Sequence, residues 1–206
     1  MKAKGFLLAT CLGVGASALG CAGVQVGGQV QAGRNALQTN RPNDAAVYLM
    51  EAADSDPDYK TPFRLPQRVL SYLGRAYYET GRDAEAKKVL EMAVSKNRED
   101  YLAHLYLGLV RLRNGDQARG KLEVETSLKD IHETLEYLAA DNVNGIFWDP
   151  AGRLRANIEQ ALMTSGNLPL LIASAEQIGR DFDEEMDTAR RDEGRHRNGR
   201  GGGGGE

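Results

Sequence analysis

Leu73-Gly74 returns thirty-four residues later as Leu107-Gly108, and Gly81 returns as Gly115. Around the first pair, apolar residues fall at Leu70, Leu73, Tyr77 and Tyr78, then at Ala86, Val89, Leu90, Ala93 and Val94. Steps of three and four put each set on one face of a helix. Glu79-Thr80-Gly81-Arg82-Asp83 separates the two sets. Gly81 suits the end of one helix and Asp83 the cap of the next. Two helices joined this tightly make an antiparallel hairpin, and only a small side chain fits where their backbones cross. A hairpin repeated at a fixed period cannot bury its apolar face alone, so the copies must stack.

The stretch "YLGRAYYETGRDAEAKKVLEMAV", residues 72–94, resembles the tetratricopeptide repeat, with Gly74 at the crossing and Ala86, Leu90 and Ala93 on the second helix. In a looser later copy Gly120, Val124 and Ser127 take those three places. An earlier copy holds Ala32-Gly33, Ala36, Ala45, Leu49, Ala52 and Pro57, with Asn43-Asp44 after Pro42 to cap its second helix. Gly33 to Gly74 is longer than one period, which places an insertion of about seven residues near Lys60–Pro66. The resemblance spans about residues 26–135 and implies an all-α fold: tetratricopeptide-type helical hairpins, an α-solenoid, followed by C-terminal packing helices. A generic helical bundle is the alternative.

Beyond the repeats, Val124, Leu128, Ile131, Leu135 and Leu138 mark one long helix over 116–140, broken at Asn142-Val143-Asn144-Gly145. Asp149 before Pro150 reads as a helix start, with Leu154, Ile158, Ala161 and Leu162 on the apolar face. Ser165-Gly166-Asn167 stops that helix. A last helix from Leu168 to about Arg191 buries Leu171, Ala175, Ile178, Phe182 and Met186. The expected organisation is a signal peptide over 1–20, a tetratricopeptide-repeat helical domain over 21–140, a C-terminal helical extension over 141–193 and a disordered Gly-rich tail over 194–206.

The first residues, Met1-Lys2-Ala3-Lys4, are cationic, and no charge occurs from Gly5 to Gly33. A basic start, an apolar run and small residues at its end form the layout of a secretory signal. The run is too short and glycine-rich for a membrane span. "ALGC", residues 18–21, resembles the lipobox of bacterial lipoproteins, although Ala18 stands where family members usually have leucine. The resemblance implies cleavage before Cys21 and lipidation (diacylglyceryl, then palmitate-type acyl chains) of its thiol. A plain secretory signal and an uncleaved anchor are the alternatives. Cys11 would leave with the signal, so the mature chain would hold no thiol free to mispair. Ala22 is not the aspartate that retains such proteins on an inner membrane, which points to the outer membrane, facing the periplasm.

The formal net charge of -3 provides no basic field for nucleic acid. His104, His132 and His196 fall in no metal-ligand spacing; "HETLE", 132–136, has Glu136 where a zinc-protease helix has its second histidine. "DFDEEMD", 181–187, lacks the glycine and distal glutamate of a calcium loop and reads as a solvated helix face, paired with Arg190 and Arg191. "DSDPD", 54–58, reads as an acidic turn that closes a repeat. There is no nucleophile elbow and no glycine-rich loop after a strand. The expectation is no enzyme, no cofactor and no metal.

Binding remains. In tetratricopeptide arrays the first helix of each pair lines a concave groove, so the resemblance implies groove residues Arg34, Leu37, Arg75, Tyr78, Glu79 and Arg113. Their arginines either clamp a carboxylate of a partner peptide or are simply solvated. The helix 101–113, "YLAHLYLGLVRLR", is apolar nearly all round. Ala103, Leu107 and Val110 serve the stack, so something must cover Leu102, Leu105, Leu109 and Leu112. The chain's own C-terminal helices, 150–164 or 168–191, are the favoured cover; a partner helix or a second copy is the alternative. The expected function is a membrane-anchored, non-catalytic protein–protein interaction scaffold or assembly factor of the bacterial envelope, binding envelope proteins or peptides. The alternatives are a self-associating structural protein and an envelope enzyme with an unrecognised site.

Overall fold

A computed structural model describes residues 18–62, 64–141 and 145–201, with side chains described for 24–62, 64–141 and 145–196. Most of the expected signal, the Asn142–Asn144 break and residues 202–206 lie outside the described residues, as does the side chain of Cys21. Among the described residues the chain is all-α and holds no strand. The helices are α1 (Ala18–Gln38), α2 (Pro42–Ser55), α3 (Val69–Glu79), α4 (Asp83–Lys96), α5 (Tyr101–Arg113), α6 (Gln117–Ala139), α7 (Arg153–Met163) and α8 (Leu168–Gly201). A 3₁₀ turn spans Gly145–Phe147.

Three hairpins stack in order: α1 on α2, α3 on α4 and α5 on α6, with α2 against α3 and α4 against α5. Each closes on the same small-to-large contact. A Cβ built on Gly33 would lie 2.5 Å from Leu49 Cγ, one on Gly74 2.4 Å from Leu90 Cγ, and one on Gly108 2.8 Å from Val124 Cγ2. The three pairs share one sequence separation, and all three large partners are fully buried. The third hairpin is closed further by Gly120, where a Cβ would lie 2.8 Å from both Leu112 Cγ and Leu112 N. Close backbone approach is therefore the geometric cause of the small-residue pattern.

The turns match as well. Gly81 has φ 73° and Gly115 φ 88°, and Asn40 takes the equivalent left-handed place in the first hairpin at φ 55°. Asparagine tolerates this region better than most side chains. The amides of Arg41, Arg82 and Asp116 each bond the carbonyl five residues back, Ala36, Tyr77 and Arg111, at 2.8, 2.8 and 2.9 Å. The expected insertion appears as the α2–α3 connection, where Lys60 and Arg68 form an isolated bridge.

Several expected caps differ. Asp83 is the first residue of α4, with no side-chain cap before it, and instead accepts from Arg113 Nη1 at 2.9 Å. Neither Asn43 nor Asp44 caps α2, which begins at Pro42. α7 begins at Arg153, later than the Asp149-Pro150 signal suggests, yet Asp149 still serves it. Its carboxylate reaches over the 150–152 turn and accepts from Leu154 N and Arg155 N, both at 3.0 Å.

α8 covers the concave side of the stack. It runs past the expected boundary at 193 to Gly201. Contacts beyond the apolar stripe hold this end: Glu193 accepts from Trp148 Nε1 at 2.9 Å, and His196 packs on Phe147 at 5.5 Å between ring centroids. The sequence expectation of a disordered tail from Gly194 rested on the polar, glycine-bearing composition, which these tertiary contacts override as far as the described residues reach.

Candidate binding groove

The groove is built by α1, α3 and α5, and α8 lies in it antiparallel to α3: Glu176 meets Tyr78 near the end of α3, and Asp183 meets Tyr72 near its start. Leu171, Ala175, Ile178, Phe182 and Met186 form the buried stripe of α8. α8 crosses α5 at Gly179, where a Cβ would lie 2.8 Å from Tyr106 Oη and 3.3 Å from Leu105 Cδ2. Leu102, Leu105, Leu109 and Leu112 are all buried, the most exposed of them at 6%.

Two of the three groove arginines, Arg34 and Arg75, bind α8 rather than facing solvent. Arg34 is fully buried; its Nη2 and Nε donate to Asp183 Oδ1 at 2.7 and 3.3 Å, and its Nη1 donates to Asp187 Oδ1 at 3.1 Å. Tyr72 Oη donates to Asp183 Oδ1 at 3.0 Å. Arg75 Nη1 reaches Asp183 Oδ2 at 3.5 Å while its Nε donates to Glu79 at 2.7 Å. Gln38 Nε2 completes the set on Asp187 Oδ2 at 2.9 Å. Asp183 and Asp187 are thus not part of a solvated acidic face, as "DFDEEMD" suggests by composition. One turn apart, they flank the same buried stripe and meet the cations of the groove.

The electrostatics of the cluster follow from this arrangement. Burial opposes charge on Arg34, but Tyr72 and Asp183 outweigh it and its pKa lies above the usual guanidinium range. Burial similarly opposes charge on Arg75, outweighed by Tyr106, Glu79 and Asp183. Burial raises the Tyr72 hydroxyl well above its ordinary value, and Asp183 adds to the shift. Arg34 and Arg75 are thus held cationic and the Tyr72 hydroxyl neutral within the cluster.

The turn end of the groove stays open. A cleft of about 450 Å³ is lined there by residues including Leu37, Tyr78, Glu79, Arg113, Glu176 and Arg180. Four of the six expected groove residues therefore line open space, whereas Arg34 and Arg75 are sequestered by α8. Arg113 stacks on Tyr78, its Cζ 3.6 Å from the ring centroid, and donates to Tyr78 O at 2.8 Å. Tyr78 Oη donates to Glu176 at 2.5 Å, and Tyr78 packs edge-on to Tyr106 at 5.6 Å. The Tyr106 hydroxyl at the back of the cleft is buried without a hydrogen-bond partner.

A second cleft, about 590 Å³, lies on the outer side of α5 and α6 and is lined in part by His104, Arg111 and Glu123. His104 Nδ1 lies 3.1 Å from Glu123 Oε1, and Arg111 pairs with the same carboxylate. The Glu123 hydrogen bond holds the His104 pKa above its ordinary 6.5 against partial burial. A raised folded-state pKa stabilises fully below the unfolded value and loses that stabilisation as pH rises through the folded value. Titration of His104 by nuclear magnetic resonance should therefore give a midpoint above 6.5. Glu123→Gln should lower that midpoint, and the stability gap between the two proteins should narrow as pH rises through this window.

Among the described residues, no group of three or more His, Cys, Asp or Glu side chains could hold a metal ion, and no helix is long and apolar enough to cross a membrane. The tetratricopeptide repeat family matches residues 36–111, from the end of α1 to α5. No curated protein and no solved structure matches the chain. Repeats of this family are protein–protein interaction modules, and stacked repeats present concave surfaces for that purpose.

Proposed function

We propose that this chain is a non-catalytic interaction scaffold or assembly factor of the bacterial envelope, exported and lipid-anchored through Cys21 on the outer membrane, facing the periplasm. Its partners are envelope proteins or peptides. The observation that carries the scaffold reading is the open turn end of a repeat groove whose remainder is already filled. Aromatic walls, Arg113 and Arg180 and the unsatisfied Tyr106 hydroxyl there are equipped to seat a partner side chain.

Support for the anchor comes from "ALGC" and from where packing begins. Val24 is 77% exposed and Val26, at 4%, is the first buried residue described. Cleavage before Cys21 would therefore remove no described core contact. Intact mass measurement of the protein from bacterial membranes tests this part. The expected species begins at Cys21 and carries acyl mass; residues 1–20 still attached, or an unmodified Cys21, would refute it. A photo-crosslinking residue at Gln38, beside the cleft, should give a protein adduct in the same cells, while one at Glu91 on α4 should not. Equal adducts at both positions, or none at Gln38, would count against the groove end as the docking site.

A further inference from the structure

We infer that the carboxyl-terminal end of α8 is a second membrane-contact element, binding anionic lipid headgroups beside the amino-terminal anchor. The inference takes its orientation from the lipid proposed on Cys21; the charge and geometry stand without it.

Three elements meet at one end of the molecule. α1 begins there: Gln29 donates to Glu51 near the end of α2 at 3.1 Å, and a Cβ on Gly27 would lie 2.9 Å from Tyr59 Oη. Tyr59 belongs to the α2–α3 connection, and its carbonyl accepts from Val69 N, at the start of α3, at 3.0 Å. α8 ends there too, because it runs antiparallel to α3. Arg64 of the same connection reaches Glu193 at 3.6 Å and Asp141 at 2.5 Å. Residue 21, just ahead of the first packed turn of α1, and the final turns of α8 thus leave the body on the same side.

The composition of that helix end is unlike the rest of the chain. Ala189 is the last buried residue described; Glu193 and His196 still touch Trp148 and Phe147 on one side, and the helix continues to Gly201, about 18 Å past Ala189. Residues 190–200 hold five arginines and two acids, in a chain whose formal net charge is -3. Arg190, Arg191 and Arg195 are exposed. The stretch has no large apolar side chain, so it has nothing to insert into hydrocarbon and rests on a charged surface instead. Each arginine held near an anionic leaflet strengthens association by about fivefold. A lipid on Cys21 alone leaves the body free to swivel. A second contact at the same end fixes the tilt, with the open turn end of the groove pointing away from the bilayer.

The test uses the full chain with Cys11→Ser, Cys21→Ser and Asn198→Cys, the new thiol carrying an environment-sensitive fluorophore. Mixed phosphatidylcholine–phosphatidylglycerol vesicles should blue-shift the probe; pure phosphatidylcholine vesicles should not, even where the amino-terminal apolar run brings the protein down with them. A probe at Gln117→Cys, at the opposite end, should stay unshifted on both. Replacing Arg191, Arg195, Arg197 and Arg200 by glutamine should abolish the shift with the melting temperature retained, while lysine at the same four positions should preserve it. No shift on anionic vesicles, or an equal shift on both vesicle types, would overturn the inference. An equal shift with duplex DNA would make the end a general polyanion site and overturn it as well. Failure of the lipid on Cys21 shows in the protein's mass and leaves this readout untouched.

Discussion

Asp183→Ala is expected to destabilise the fold by about 3–5 kcal/mol, because it removes one partner from a buried charge cluster and leaves the others stranded. Arg34 and Asp183 have fully buried side chains, and the Arg75 side chain is 1% exposed. Without the carboxylate, Arg34 loses two of its hydrogen bonds and retains the one to Asp187, Arg75 retains Glu79, and the Tyr72 hydroxyl loses this acceptor. Solvent cannot replace these bonds unless α8 lifts from the groove. Asp183→Asn retains an acceptor but no charge, so it should fall between alanine and wild type. Glu184→Ala, one residue on and exposed, should stay within about 0.5 kcal/mol of wild type. Equilibrium urea unfolding measures all three. An alanine variant as stable as wild type would show that the cluster does not hold α8.

Gly74→Val tests the stacking rule itself. The first added carbon would sit 2.4 Å from both Leu90 Cγ and Cδ2, a distance that intact packing does not allow. Leu90 is fully buried, so its side chain cannot swing into solvent. Overpacking of this kind costs about 1–3 kcal/mol, with a further helix-propensity gain of a few tenths from leaving glycine acting in the opposite direction. The expected net result is a lower urea midpoint. Coupling with Leu90→Ala should be favourable, since removing the large partner opens the space that valine needs. Gly28→Val is the control, because nothing lies within 4 Å of a Cβ there. Equal effects at Gly74 and Gly28 would mean that the small residue matters for backbone entropy and not for helix approach.

The repeat was legible because its cause is local and periodic. Gly33, Gly74 and Gly108 each meet a large residue at one fixed separation, and the pattern survives even where Ser127 and Gly120 loosen the third copy. Asn40 was less visible as a turn residue, because asparagine marks a left-handed position less strongly than glycine does. Asp83 and Asp44 are first-turn acids and not caps, because an acid near a helix start suits the helix dipole as well as a capping bond; Asn43 is not a cap because α2 already begins at Pro42.

The groove was legible only in part. That Leu102, Leu105, Leu109 and Leu112 need a cover follows from an all-round apolar helix. The fate of Arg34 and Arg75 does not follow from either helix alone, since their partners lie about 150 and 110 residues away, a distance that local periodicity does not span. The available signal was relational. Two cations faced a groove poor in acids, and two acids one turn apart flanked the apolar stripe of α8. Read by composition, "DFDEEMD" looked solvated; read beside Phe182 and Met186, the positions of Asp183 and Asp187 put them at the edge of the buried face.

The fold described here is a repeat groove filled by the chain's own last helix, and amide hydrogen exchange on the intact protein tests that most directly. Amides from Leu171 to Ala189 should exchange as slowly as those of α3 and α5, through global unfolding only, while those beyond His196, the last residue with a described tertiary contact, exchange quickly. If the 171–189 amides instead exchange orders of magnitude faster than α3 and α5, α8 does not occupy the groove in solution and the account of the site is wrong.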